Sequence, residues 1–203
     1  RKNQGYTMFP SSHDVTTENA ELAMQLMGKL LDSGNQVLMV TKPHLSVIQK
    51  ICEKFANKKD QILFRFTIGS TDSETLKFWE PGAPSFEERL DALKFACSSG
   101  FQTSVSCEPA LDTKTLKLVE VLLPYITDAI WIGLPNRLKG ILKLNGANDP
   151  ETLQRGEELI ASQSDEWVWS IFETLKVNPK VKWKDSIKKI VGIDRPTQKG
   201  LDI

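Results

Sequence analysis

The 203-residue sequence predicts an α/β fold in which parallel strands alternate with helices. Short apolar runs recur at 6–9, 36–41, 62–69, 101–107 and 128–133, with starts about 25 to 40 residues apart, the usual span of a strand–helix unit. Several are almost continuously apolar, as in Val37-Leu38-Met39-Val40 and Ala129-Ile130-Trp131-Ile132. That pattern suits strands covered on both faces. Five such units fall short of a complete eightfold barrel, which takes about 250 residues. An open sheet or a partial barrel remains, and in either a ligand sits beyond the carboxyl ends of the strands.

Amphipathic segments fill the gaps between the strands. In 17–33, Ala23, Leu26, Met27, Leu30 and Leu31 share a face. Thr17 is placed to cap this helix, Glu18 and Glu21 suit its positive end, and Gly34 suits a left-handed stop. In 44–56 the stripe is Leu45, Ile48, Cys52 and Phe55. The third helix opens with a capping box: Ser85 caps, and Glu88 is placed to reach back to it. Leu90, Leu93, Ala96 and Cys97 then face inward, and Gly100 ends the helix. Segment 113–123 carries Leu116, Val119 and Leu122 or Leu123. Asp149-Pro150 is a cap followed by proline in the first turn. A last helix near 165–175 carries Trp167, Ile171 and Leu175.

Composition removes several function classes. The apolar fraction of 40% excludes global disorder, because that much apolar material offsets chain entropy. No apolar run approaches the roughly 20 residues of a spanning helix, so no membrane partner is expected. Three cysteines do not make a disulfide scaffold. The 26 basic and 26 acidic side chains cancel, which argues against a dedicated nucleic-acid binder. The chain opens Arg1-Lys2-Asn3-Gln4-Gly5, without methionine or the apolar core of a signal peptide, as expected of a portion of a longer protein.

Every strand delivers small polar or charged groups to one rim: Ser11-Ser12-His13-Asp14, Lys42-Pro43-His44, Thr67, Cys107-Glu108 and Asn136-Arg137. Convergence of this kind points to a polar ligand. Lys42, just past an apolar strand, can offer its ammonium to a carboxylate or phosphate, a bond worth roughly 1.5–3 kcal/mol. It also reads as a solvated lysine in a turn. His13-Asp14 reads either as an acid–base pair or as a turn in which Asp14 bonds its own backbone. Glu108 is a candidate ligand contact, or a salt-bridge partner of Arg65 or Arg89. Metal binding by His13 and His44 lacks a third ligand. Cys52 and Cys97 fall on inward helix faces, while Cys107 ends a strand. Neither a GxxxxGK[ST] or GxGxxG phosphate loop nor a GxSxG elbow occurs. Residues 145–175 hold seven acidic side chains and one basic, and 176–199 hold eight basic and two acidic. Lys182-Trp183-Lys184 mixes charge with an aromatic, so the basic stretch is either one of two complementary surfaces or a nucleic-acid contact.

The ordered segments Ser12-His13-Asp14, Thr41-Lys42-Pro43, Phe64-Arg65-Phe66-Thr67-Ile68, Glu80-Pro81-Gly82-Ala83-Pro84-Ser85 and Arg89-Leu90-Asp91-Ala92-Leu93 carry a resemblance. Over residues 6–140 the chain resembles the radical S-adenosylmethionine superfamily, most closely its spore photoproduct lyase-like branch. The resemblance implies a partial (β/α)6 TIM-like barrel over 1–145, with 146–203 as a helical extension of the same domain. It implies a cytoplasmic, lyase-like enzyme that binds S-adenosylmethionine and a [4Fe-4S] cluster, fed by a donor such as ferredoxin or flavodoxin. The cluster cleaves the nucleoside to a 5′-deoxyadenosyl radical that takes hydrogen from a substrate. The family holds its cluster on a CxxxCxxC loop after its first strand, and this sequence has no CxxxCxxC. The strand at 6–9 then matches the family's second, the first unit is missing, and the chain alone is expected to be inactive.

Carried over residue by residue, Ser11 or Ser12 falls where the family contacts the amino group or ribose of S-adenosylmethionine. Lys42 matches the lysine that approaches its carboxylate, and Thr67 a hydroxyl residue that does similar work. His13 and Glu108 complete the expected cofactor-binding set. The true lyase carries a hydrogen-donating cysteine near the Ser12 position, whereas Pro10 and Ser11 stand here. That departure counts against photoproduct repair and leaves Cys107 as a donor from another strand. Two rivals stay open: a non-radical enzyme using His13 and Glu108 as acid and base, and a nucleic-acid module using 176–199.

Overall fold

Each apolar run becomes a strand that sends alternate side chains into one core. A computed structural model describes residues 3–147 and 149–195. The strands are β1 (Tyr6–Phe9), β2 (Gln36–Thr41), β3 (Ile62–Thr67), β4 (Gln102–Cys107), β5 (Ile130–Ile132) and β6 (Val181–Trp183). All six are parallel, and their order in the sheet is their order in the chain.

That order has no reversal, so right-handed crossovers carry the helices to one face. The strand residues of the main core all come from that face: Val37 and Met39, Ile62, Phe64 and Phe66, Val105 and Cys107, Ile130 and Ile132, Val181 and Trp183. Leu63 and Trp131, pointing the other way, are buried yet lie outside that core. The helix-free face is concave. Tyr6 on β1 donates from its hydroxyl to Gln102 on β4 at 3.1 Å, although β2 and β3 lie between. In a flat sheet those backbones would stand about 14 Å apart, and side chains rise roughly perpendicular to the sheet, so only curling brings the tips together. Across this hollow Arg65 donates from Nε to Ser104 Oγ at 3.1 Å, and its guanidinium lies 5.3 Å from the centre of the Trp131 ring.

The helices are α1 (Ala20–Asp32), α2 (Leu45–Lys54), α3 (Ser73–Trp79), α4 (Phe86–Ser98), α5 (Thr115–Leu122), α6 (Leu138–Leu144), α7 (Pro150–Ser162), α8 (Asp165–Leu175) and α9 (Asp185–Val191). Asp149 caps α7 by accepting from the Thr152 amide, as its sequence predicts. Other expectations change. Thr17 does not cap α1: Asn19 takes that position, and the Thr17 hydroxyl donates to Glu18. Ser85 caps α4, but Glu88 does not reach back; its Oε1 accepts from the Leu45 amide at 3.1 Å and so ties α4 to the start of α2. Leu26 and Leu116 are exposed, the inward stripe of α5 being Leu118, Val119 and Leu122.

The segment after 146 is not only helical, because it supplies β6. Trp183 is buried with its ring 5.2 Å from that of Phe172. This overturns its reading as an aromatic offered to nucleic acid. Lys180 donates to the Ile126 carbonyl, Lys176 to Glu173, and Lys188 is buried, so much of the basic stretch belongs to the fold. Its last part, 196–199, lies outside the described residues. Among the described residues, no helix is long and apolar enough to cross a membrane.

Phe64 is fully buried, with ring centroids 5.4 Å from both Phe66 and Phe101. Phe64→Ala is expected to cost about 3–5 kcal/mol. Urea unfolding should show a lower midpoint at an unchanged m-value.

Candidate functional site

A cavity of about 710 Å³ opens at the carboxyl rim of the sheet. Small-molecule sites run from roughly 300 to 1,000 Å³. Lys42 after β2, Glu108 after β4 and Leu134 after β5 line it, with the 80–84 loop and α6 completing the wall.

Its charged side starts with Asp14. The turn between β1 and α1 is strapped to the end of β2, because the Val15 amide donates to Thr41 Oγ1 at 3.0 Å. Thr41 in turn donates to Asp14 at 3.2 Å. Lys42 donates to Asp14 twice, from its backbone amide at 2.8 Å and from Nζ at 2.9 Å. Burial alone raises the Asp14 pKa; the hydrogen bonds and charge of Lys42, with the Thr41 hydroxyl, outweigh it and hold the carboxyl below its ordinary value. Lys42 is therefore held, not merely solvated.

The opposite side depends on a glycine. Glu108, Gly133 and Lys184 each stand one residue past β4, β5 and β6, three neighbouring strands. A Cβ at Gly133 would lie 2.9 Å from Lys184 Cβ and 3.1 Å from Glu108 Cγ. With no side chain between them, the Lys184 ammonium reaches Glu108 at 3.3 Å and lies 5.1 Å from the centre of the Trp131 ring. Neither arginine considered from sequence pairs with Glu108. Arg65 bonds Ser104, with Asp128 at 3.7 Å, and Arg89 faces Glu80 at 2.6 Å.

Arg89 builds the third wall. Fully buried, it donates to the Thr67 carbonyl at 3.0 Å and the Pro84 carbonyl at 2.8 Å as well as to Glu80. One guanidinium thus pins both ends of the 80–84 loop against the end of β3. The remaining wall is apolar: Trp79 from α3, prolines of the loop, and Leu138, Ile141 and Leu142 from α6.

Of the cofactor-binding residues expected from sequence, Lys42 and Glu108 line the cavity. Ser11, Ser12 and His13 are exposed on the loop ahead of Asp14, with Ser12 Oγ 3.4 Å from His13 Nδ1. They are outside the cavity lining, as is half-buried Thr67, whose carbonyl serves Arg89. The structure does not bring His13 into the cavity that Glu108 lines, nor does it pair His13 with Asp14. Sequence reasoning missed Asp14 as the partner of Lys42, and missed the α6 wall. The spacing of Leu138, Ile141 and Leu142 was the available signal for the latter.

The described residues do not fit an iron–sulfur cluster. Among them there is no group of three or more His, Cys, Asp or Glu that could hold a metal ion. Cluster ligands are thiolates, and burial pushes the Cys52 thiol up to about 12. Cys107 is also raised, by burial and by the nearby Asp112 and Glu108 charges. It faces the core, 4.0 Å from the Gly69 carbonyl, so the rim role allowed for it from sequence does not hold. Cys97, expected to pack inward, is half-buried and borders a surface groove.

A carboxyl whose folded pKa is depressed adds stability above its unfolded pKa and loses it as pH falls through the folded value. The gap in urea midpoint between the native chain and Asp14→Asn should therefore hold steady above about pH 5 and shrink progressively below 3.8, the ordinary Asp value. Comparison with protein families, with curated proteins and with solved structures gives no match to this chain.

Proposed function

We propose that this chain is the S-adenosylmethionine-binding portion of a radical S-adenosylmethionine enzyme of the lyase-like kind, its curled sheet being a partial (β/α)6 barrel. The observation that carries this reading is Lys42. It lines a cavity of suitable size at the rim where the resemblance puts a lysine for the cofactor carboxylate. Its ammonium has three donors, of which Asp14 takes one. Asp14 and Glu108 add carboxylates that suit the ligand's ammonium and sulfonium charges. Ser11 and Ser12 remain candidates for the amino group or ribose only from the loop that leads into Asp14.

The cysteines do not suit a cluster, and no electron-transfer step is assigned to these residues. In this reading a first unit lies ahead of β1, the described edge of the sheet, and β6 then stands outside the family's six strands. Three free cysteines suit a reducing, cytoplasmic setting and a donor such as ferredoxin or flavodoxin.

Calorimetric titration of the chain with S-adenosylmethionine is expected to show one site. Lys42→Met should weaken it about tenfold to a hundredfold, the worth of a charge-assisted hydrogen bond of ~1.5–3 kcal/mol. No binding, or an unchanged affinity in Lys42→Met, overturns the reading.

A further inference from the structure

The cavity is chemically two-sided. Its charged side holds Asp14, Lys42 and Glu108, and its apolar side holds Trp79, Leu138, Ile141 and Leu142. Among the described residues that line it, Lys42 is the one lysine or arginine, against the carboxylates of Asp14, Glu80 and Glu108. Arg89 and Lys184 stand behind Glu80 and Glu108 and are engaged by them. The four prolines of the wall, Pro81, Pro84, Pro109 and Pro135, bring no backbone N–H to an anion. A phosphate-bearing substrate would need cations or amide donors. Beyond Lys42, the lining adds three carboxylates, the polar side chains Thr16, His44, Asn136 and Asn145, and hydrocarbon, so its fixed charge runs against an anion.

Resting on the S-adenosylmethionine reading, in which Lys42 is taken by the cofactor carboxylate, we propose that the second ligand of this cavity is an uncharged aromatic group of a small molecule. It lies against Trp79 and the α6 wall. Trp79 supplies the aromatic surface. Gly156 lets α7 approach behind it, since a Cβ there would stand 3.1 Å from Leu142 Cδ1 and 3.9 Å from the Trp79 ring. Ile141 is 45% exposed although it lines the cavity, so the α6 wall presents apolar surface with room for a partner. Nucleic acid, with a charge on every residue, is disfavoured at this rim.

Matched probes test the proposal: 2-naphthol and 2-naphthyl phosphate, titrated by ligand-observed NMR with and without saturating S-adenosylmethionine. Naphthol should bind in both conditions, and at least about tenfold tighter than its phosphate, because the added charge meets carboxylates. Trp79→Ala and Ile141→Asp should each weaken naphthol about tenfold, the worth of one well-packed aromatic contact. Ile141→Asp alters an exposed position, so it still reports if Trp79→Ala fails to fold. Equal or tighter binding of the phosphate, no binding of naphthol, or naphthol affinity unmoved by Ile141→Asp overturns the proposal. The two readings fail separately. Naphthol bound with these dependences while S-adenosylmethionine does not bind removes the cofactor reading and keeps the aromatic site; the reverse pattern removes the aromatic site alone.

Discussion

A parallel sheet that never reverses its strand order cannot place helices on both faces. Each right-handed crossover lands on the same side, so one face gains an apolar core and the other must cover itself. Here it does so by curling. Tyr6 meets Gln102 over two intervening strands, and Arg65 spans from Ser104 to Trp131. The hollow holds polar and aromatic side chains beside the aliphatic Leu63, which explains the two personalities of β3 and β4. Phe64, Phe66 and Val105 enter the helix layer, while Arg65 and Ser104 join each other on the concave side.

The same constraint makes the rim. When consecutive strands lie side by side in register, the residues just past their ends become neighbours, however far apart in the chain. Glu108, Gly133 and Lys184 form such a row, in which the middle member must be small for the outer two to pair. Lys42 and Asp14 meet by the same route, 28 residues apart. Arg89 adds a tie that a sheet cannot supply, from α4 to the 80–84 loop and the end of β3. It is fully buried, and removing it would leave the Thr67 and Pro84 carbonyls without their donor and the Glu80 carboxylate without its cation. Breaking one partner of a buried pair costs more than the pair contributes, so the loop that walls the cavity is held firmly.

What could be read from the sequence follows from how local each signal is. The apolar runs gave the first two strands to the residue, because period and propensity act within the strand itself. Ser85 and Asp149 were legible as caps for the same reason, since a cap bonds an amide two or three residues on. Glu88 was not legible: its carboxylate prefers the Leu45 amide, a choice set by the packing of α4 on α2. β6 escaped because a three-residue strand with a lysine in its middle looks like a charged turn, and only pairing with β5 makes it a strand. Lys42 and Glu108 were found at the rim because their place past a strand is local, whereas their partners, Asp14 and Lys184, are set by topology.

On the proposed function, the Lys42–Asp14 pair has a consequence for selectivity. A ligand with only a carboxylate would meet the ammonium of Lys42 and, beside it, the charge of Asp14, which repels it. A ligand with an ammonium next to its carboxylate can answer both members of the pair at once. An α-amino carboxylate such as the methionyl end of the cofactor has that arrangement, and a phosphate does not. Asp14 thus orients Lys42 and, on the proposed function, would also filter what Lys42 accepts. Because both side chains are only partly exposed, the discrimination is stronger than it would be in open water. On that reading, a single ion pair at the end of β2, placed there by strand order, would make this side of the cavity zwitterion-selective while Trp79 and α6 keep the other side apolar.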